Sequence, residues 1–189
     1  MFTSLFLGML NREASSPGSK SGEILEALSI GEGWVIADIG SGGGYFTVAF
    51  ARKVGPGGRV YAVDTRPAYL EFVRDRAERA GLTNIVCVQV KDETIEMPEG
   101  ALDLIFLRNV FHHLPRPVPY MANLGKHLKP GGRIAVIDHK PGRGLTFVSL
   151  FKHNTSPAIV VRDMEEAGYS LSKSFDFLPA QSFSVFACP

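Results

Sequence analysis

Val35-Ile36-Ala37-Asp38-Ile39-Gly40-Ser41-Gly42-Gly43-Gly44 is the stretch on which the fold turns. Trp34 to Ile39 is a short apolar run rich in β-branched residues, the pattern of a strand buried on both faces of a parallel sheet. Glycines then leave the strand at alternate positions, 40, 42 and 44. Lacking Cβ, they take positive φ cheaply and let a ligand come close to the backbone. Tyr45 to Val54 follows as a helix whose first amides have no partner within the helix, so the turn offers N–H groups to a bound molecule. Asp38 stands two residues before the first glycine, at the point where strand gives way to ligand.

The glycine spacing separates two cofactor classes. A dinucleotide turn needs Gly-x-Gly-x-x-Gly, which would put glycine at position 45. Position 45 is tyrosine, and Gly44 completes Gly-x-Gly-x-Gly instead. With Asp38 in front, the run resembles motif I of the class I S-adenosylmethionine-dependent methyltransferases, Asp/Glu-x-Gly-x-Gly-x-Gly. A strand-end carboxylate suits the ammonium group of that cofactor and would repel a pyrophosphate. The resemblance implies a cofactor contact for Asp38, Gly40, Ser41, Gly42 and Gly44.

Downstream, Arg59 to Val63 is a second apolar strand, and it ends in Asp64, twenty residues beyond Gly44. At that distance the end of a second strand returns to the ligand, where an acid can accept both ribose hydroxyls. Dehydrogenases share this feature, so Asp64, with Thr65 beside it, indicates a nucleoside without choosing between the two classes. Ile85 to Val90 is a third strand, ending at Lys91-Asp92-Glu93. In the resembling family an acid at this place receives the adenine amino group, which implicates Asp92, with Glu93 adjacent. Leu102 to Leu107 is a fourth strand, followed by Arg108-Asn109-Val110-Phe111-His112-His113-Leu114. Asn109 follows that strand beside the methyl position the family implies. Leu128-Lys129-Pro130-Gly131-Gly132-Arg133 is a helix end, a breaker and a turn before the strand Ile134 to Ile137. The resemblance runs from about Gly22 to Pro189.

Strands and helices alternate along the chain, which argues for a parallel sheet with helices on both faces. Helices are expected over 23–28, 68–80, 117–128 and 155–167. Ser170 to Phe177 and Ser182 to Cys188 are two strands joined by a connection too short for a parallel crossover, so they pair antiparallel. The resemblance makes this an α/β fold: a Rossmann-like methyltransferase domain with a mostly parallel, seven-stranded sheet and one antiparallel edge strand. Residues 21–189 form that domain. Met1 to Lys20 is expected as a mobile arm that folds over the cofactor or packs on a partner. The loop Lys140 to Ser156 carries the apolar run Leu145 to Phe151. It is expected either as a substrate lid or as a short helix at the sheet edge.

With 189 residues, the chain is one domain by length. Apolar residues at 45% and charged residues at 21% place it among globular proteins. A formal net charge of +1 implies no field for a polyanion. Two cysteines, Cys87 and Cys188, form neither a CxxC pair nor a disulfide framework, which points to a reducing cytoplasm. The five histidines lack the spacing of a zinc motif. The apolar start, Met1 to Leu10, is too short to span a bilayer. A homodimer is compatible with these features.

Methyl transfer from a sulfonium is a displacement by a nucleophile of the acceptor, so the protein mainly positions the two partners. A base is needed where that nucleophile must lose a proton. The candidates are His112, His113, Asp138, His139 and His153. His153 is favoured as the acceptor-facing group because similar small methyltransferases carry a histidine just before the final helix. His112 and Asp138 complete the expected catalytic set. Leu107 to Val110 resembles a segment of the ubiquinone and menaquinone biosynthesis methyltransferases, whereas Phe111 to Leu114 follows the general small-molecule pattern. No Asn-Pro-Pro-Tyr motif follows Leu107, and the cysteines do not suit arsenic chemistry, so a small organic acceptor is favoured over nucleic acid. The alternatives are an NAD-dependent oxidoreductase, which needs glycine at position 45, an aminopropyl transferase, and a non-catalytic binder of S-adenosylmethionine.

Overall fold

The computed structural model describes residues 2–91, 95–141 and 154–188. Seven strands form a mixed, mostly parallel sheet, and the chain divides into two compact units, Met1–Pro98 and Glu99–Pro189.

In the first unit the strands β1 (Val35–Ile39), β2 (Arg59–Asp64) and β3 (Ile85–Gln89) lie parallel in the order β3-β2-β1. Among the described residues four helices accompany them: α1 (Phe2–Ala14), α2 (Ser21–Ala27), α3 (Tyr45–Val54) and α4 (Pro67–Arg79). The two β-branched runs are buried as expected of inner parallel strands, with Ile36, Ala37, Val60, Ala62 and Val63 fully enclosed. Their register pairs Asp38 with Ala62 and Ile39 with Val63. Gly40 and Asp64, each one residue further on, therefore reach the same end of the sheet. Leu70 and Val73 of α4 pack on Ala62, with Ile85 and Cys87 at the margin of that core.

Helix α1 occupies the stretch expected as an arm. Leu7 is fully buried on it, which stabilises the docking by about 1.5–3 kcal/mol. Leu5, Phe6 and Met9 of the same helix are exposed. A single 3-10 turn, Pro17–Ser19, leads into α2.

The second unit holds β4 (Leu102–Arg108), β5 (Leu128–His139), β6 (Ser170–Phe175) and β7 (Gln181–Ala187), in the order β4-β5-β7-β6. β4 and β5 are parallel, and β7 runs antiparallel to both of its neighbours. The short connection expected between the last two strands thus makes the antiparallel pair, and β6 is outermost. β5 begins earlier than the sequence suggests. Its pairing with β4 jumps from Leu102↔Leu128 to Leu104↔Arg133, so Pro130-Gly131-Gly132 is looped out and the expected turn survives inside the strand as a bulge. Helix α5 (Pro117–Gly125) accepts Pro117 and Pro119 because both lie in its first turn, where amides have no helical acceptor. Helix α6 (Pro157–Glu166) is capped by Ser156, whose Oγ accepts from the Ile159 amide at 3.3 Å.

Candidate functional site

In the first unit the glycine turn is built by backbone hydrogen bonds. The Val63 carbonyl accepts from Gly40 N at 2.8 Å and Ser41 N at 3.0 Å, tying the turn to β2. Gly44 N donates to Ser41 O at 2.8 Å and closes the loop ahead of α3. Gly40, Gly42 and Gly44 all have positive φ, 68°, 52° and 71°. Gly44 is doubly constrained, since a Cβ there would stand 2.8 Å from Val73 Cγ2 on α4. A Cβ on Gly42 would meet only ordinary contacts at 3.8 Å or more. At Gly42 it is conformation, not crowding by the protein, that demands glycine.

Two carboxylates flank this turn. Asp38 is 4% exposed, and its Oδ2 accepts from Thr47 Oγ1 of α3 at 2.5 Å. Burial pushes its carboxyl from an ordinary 3.8 up to about 7, the nearby Asp64 charge adds to the rise, and the Thr47 hydroxyl opposes it. Asp64 is also buried, accepting from Gly42 N through Oδ2 and from Arg66 N through Oδ1, each at 3.1 Å. It thereby joins the end of β2 to the centre of the glycine turn. Thr65, the next residue, lines an open cleft of about 490 Å³ together with Thr3, Phe6, Arg66 and Tyr69.

These residues fit the cofactor that the sequence implies. A carboxyl held near neutrality by burial gains its charge when a cation is placed beside it, and the methionine half of S-adenosylmethionine carries an ammonium group. Ser41 Oγ is buried without a hydrogen-bond partner among the described residues. It stands in the same turn as a polar group available to a ligand.

The second unit holds another polar cluster. Asp138, at the end of β5, is fully buried and accepts three hydrogen bonds. Its Oδ1 receives the Nδ1 of His112 at 2.7 Å and the amide of His139 at 2.8 Å, and its Oδ2 receives the amide of His112 at 2.9 Å. With Nδ1 donating, Nε2 is the acceptor nitrogen of the His112 ring. Next to it, Asn109 adopts φ 57°, unusual for a side chain other than glycine. Its amide donates to Ile137 O at 2.8 Å, and its Oδ1 accepts from Gln181 Nε2 at 2.5 Å. Gln181 Oε1 in turn accepts from Arg108 Nη2 at 3.2 Å. A left-handed residue held by a buried amide is strain the surroundings must maintain, a feature that concentrates at functional sites.

Asp38, Gly40, Ser41, Gly42, Gly44, Asp64 and Thr65 come together in the first unit, and Asn109, His112 and Asp138 in the second. Asp92, Glu93 and His153 lie outside the described residues, as does most of the loop 140–156. Thr47 and Gln181 are not among the residues the sequence singles out. Thr47 sits in the first turn of α3, nine residues after Asp38, and that position was a readable signal. Gln181 is 72 residues from Asn109, and nothing local marks it. The one Tyr-x-x-x-Lys spacing in the chain, Tyr169 to Lys173, starts one residue before β6 and runs into it, where four extended residues separate the two by about 13 Å instead of the single turn of a helix. The Tyr169 hydroxyl donates to Met121 O at 2.7 Å. This is no dehydrogenase pair. No helix among the described residues is long and apolar enough to cross a membrane.

Residues 30–177 match the methyltransferase domain family. The chain is 34% identical over 123 residues to a protein-L-isoaspartate O-methyltransferase of Aeropyrum pernix, which covers 65% of this chain and 45% of that protein. It is 27% identical over 164 residues to the ubiquinone/menaquinone biosynthesis C-methyltransferase UbiE of Pasteurella multocida, covering 83% and 61% respectively. The chain spans about half the length of the curated relatives it matches. A solved SAM-dependent methyltransferase from Aquifex aeolicus superposes with a TM-score of 0.85 at 21% identity, over 96% of this chain and 98% of that one, and shares the fold. An acid-led glycine turn without the dinucleotide spacing, a second acid bonded to that turn, and a family match over most of the length lead to one assignment: the chain belongs to the class I S-adenosylmethionine-dependent methyltransferases.

Proposed function

We propose that this chain transfers the methyl group of S-adenosylmethionine to a small organic acceptor, and that His112 is the base for an acceptor that must lose a proton. The observation that carries the cofactor half is Asp38, a carboxyl buried at the head of the glycine turn and raised to about 7. When bound, the cofactor supplies an electrophilic methyl group on a sulfonium. In this reading Asp38 balances the ammonium charge, and Asp64 accepts the ribose hydroxyls on lone pairs its two amide bonds leave over. Gly40, Ser41, Gly42 and Gly44 present backbone to the cofactor. Thr65, Asp92 and Glu93 serve the adenosine end.

The acceptor half rests on the cluster in the second unit. Asp138 fixes the His112 ring through Nδ1, which makes Nε2 the basic nitrogen proposed to take a proton from the acceptor. Asp138 is then a positioning residue. His153 is assigned to the acceptor by resemblance alone. Of the two relatives named above, one is by its name a protein methyltransferase and the other a C-methyltransferase of ubiquinone/menaquinone biosynthesis. The UbiE relative aligns over more of this chain, and Leu107 to Val110 carries the segment that resembles it, so a small acceptor is favoured.

Incubation with methyl-labelled S-adenosylmethionine tests this reading, using a panel of phenols, quinols, amines and carboxylates beside an isoaspartyl peptide. Transfer to a small acceptor is expected, with a pH–rate profile that loses its acidic limb in His112→Gln. Label on the peptide alone would refute the small acceptor, and an unchanged profile in His112→Gln would refute the base.

A further inference from the structure

Helix α1 touches the glycine turn at its most adaptable point. Asn11 Nδ2 donates to the carbonyl of Gly43 at 2.7 Å, and Arg76 Nη1 of α4 donates to the same oxygen at 3.1 Å. The Gly43–Gly44 peptide that carries this carbonyl lies between residues with no Cβ, so little intrinsic preference decides which way it faces. In the structure its oxygen is held by Asn11 and Arg76, while its N–H points back to Ser41 O at 2.8 Å. Packing is close at Gly43, where a Cβ would stand 2.5 Å from Asn11 Oδ1, while Leu10 of the same helix lies at ordinary contact distance from Gly42. Further along the helix, Thr3 and Phe6 line the cleft beside Thr65. One helix thus reaches both the glycine turn and the end of β2, the two places assigned to the cofactor.

We propose that Asn11 is a positioning residue for the cofactor, holding the Gly43–Gly44 peptide in its binding orientation and thereby linking helix α1 to cofactor occupancy. The inference rests on the cofactor reading above. Asn11 acts on the population of binding-competent turn, since apparent affinity falls in proportion to that fraction. Linkage is reciprocal, so a turn that binds better with α1 docked must also dock α1 better when the cofactor is bound.

Calorimetry with S-adenosylhomocysteine on the full chain tests this, together with hydrogen exchange of α1 in the presence and absence of that ligand. Wild-type protein is expected to bind, with added protection over residues 7–14. Loss of one neutral hydrogen bond in Asn11→Ala is expected to weaken binding about fivefold and to abolish the added protection. Asn11→Asp separates positioning from packing. It keeps the shape but turns an acceptor toward the Gly43 carbonyl, and is expected to weaken binding more than Asn11→Ala does. If Asp is milder than Ala, Asn11 only fills space and the inference fails. Unchanged affinity in both variants also overturns it while leaving the cofactor reading intact. Absence of binding to the wild type overturns the cofactor reading itself. Arg76→Met, which removes the second donor from α4, is expected to reproduce the weakening with α1 intact.

Discussion

Binding of S-adenosylhomocysteine is expected to depend on pH through Asp38. The carboxyl is held near 7 because burial disfavours its charged form; the charge of Asp64 adds to the effect and the Thr47 hydroxyl counters it. An ammonium group pairs with the ionised form, so a cofactor arriving below pH 7 must first displace a proton. Between pH 7.5 and 5.5 the ionised fraction of a group titrating at about 7 falls about 25-fold, so the dissociation constant is expected to rise by about that factor. Below its titration point the slope approaches tenfold per pH unit, or about 1.4 kcal/mol. Calorimetry across that range, on wild type and Asp38→Asn, measures it. The variant is expected to bind weakly at every pH with the slope abolished, because Asn carries no proton to release. Thr47→Val, which removes the hydroxyl that favours the charge, is expected to move the midpoint upward. The stability of the free protein moves with the same proton. The folded value lies above the unfolded one, so the folded state holds more protons between about pH 4 and 7, and this contribution to stability is lost as pH rises through that window. A wild-type dissociation constant that stays level from pH 5.5 to 7.5, or a slope that persists in Asp38→Asn, would refute the assignment of the ammonium to Asp38.

Other expectations follow from the same geometry. Asp64→Ala removes an acceptor for ribose hydroxyls and frees the Gly42 amide; at about 1.5–3 kcal/mol for each bond to a charged group, calorimetry should show the cofactor weakened roughly ten- to hundredfold or more. Gly44→Ala places a methyl 2.8 Å from Val73 Cγ2 at φ 71°, and urea denaturation should register a loss of about 1–3 kcal/mol. His112→Gln should leave the affinity for S-adenosylhomocysteine within a few-fold and lower turnover by about 10²–10⁴ once an acceptor is in hand, with Asp138→Asn changing the pH profile in the same direction. His153→Ala should likewise spare cofactor affinity and lower turnover, and equal weakening of the cofactor in His153→Ala and Asp64→Ala would show that these two roles are wrongly divided.

The strands were legible because burial on both faces of a parallel sheet leaves an apolar, β-branched run such as Ile36 to Ile39 or Ile134 to Ile137. The glycine turn was legible because positive φ restricts the residue type, and Asp38 and Asp64 because each follows a strand pattern at a fixed offset. Helix α1 was harder. Met1 to Leu10 is broken only by Thr3, Ser4 and Gly8, and Leu7, buried among the described residues, is not marked out from its apolar neighbours. The Asp138–His112 bond was only half visible, since both residues stood on a candidate set of five and only the fold pairs them. The Asn109–Gln181–Arg108 chain was invisible at Gln181, because an antiparallel strand 72 residues away supplies it. Asn11 and Arg76 were missed for a related reason: their partner is a backbone carbonyl, which no side-chain motif records.

The acid-led glycine turn is expected to select S-adenosylmethionine over a dinucleotide. Calorimetric titration of the wild-type chain at pH 7.5 with S-adenosylhomocysteine and, separately, with NAD measures that selection. One-site binding of S-adenosylhomocysteine in the micromolar range with no heat from NAD is the predicted result, and comparable binding of NAD, or binding of NAD alone, would contradict it.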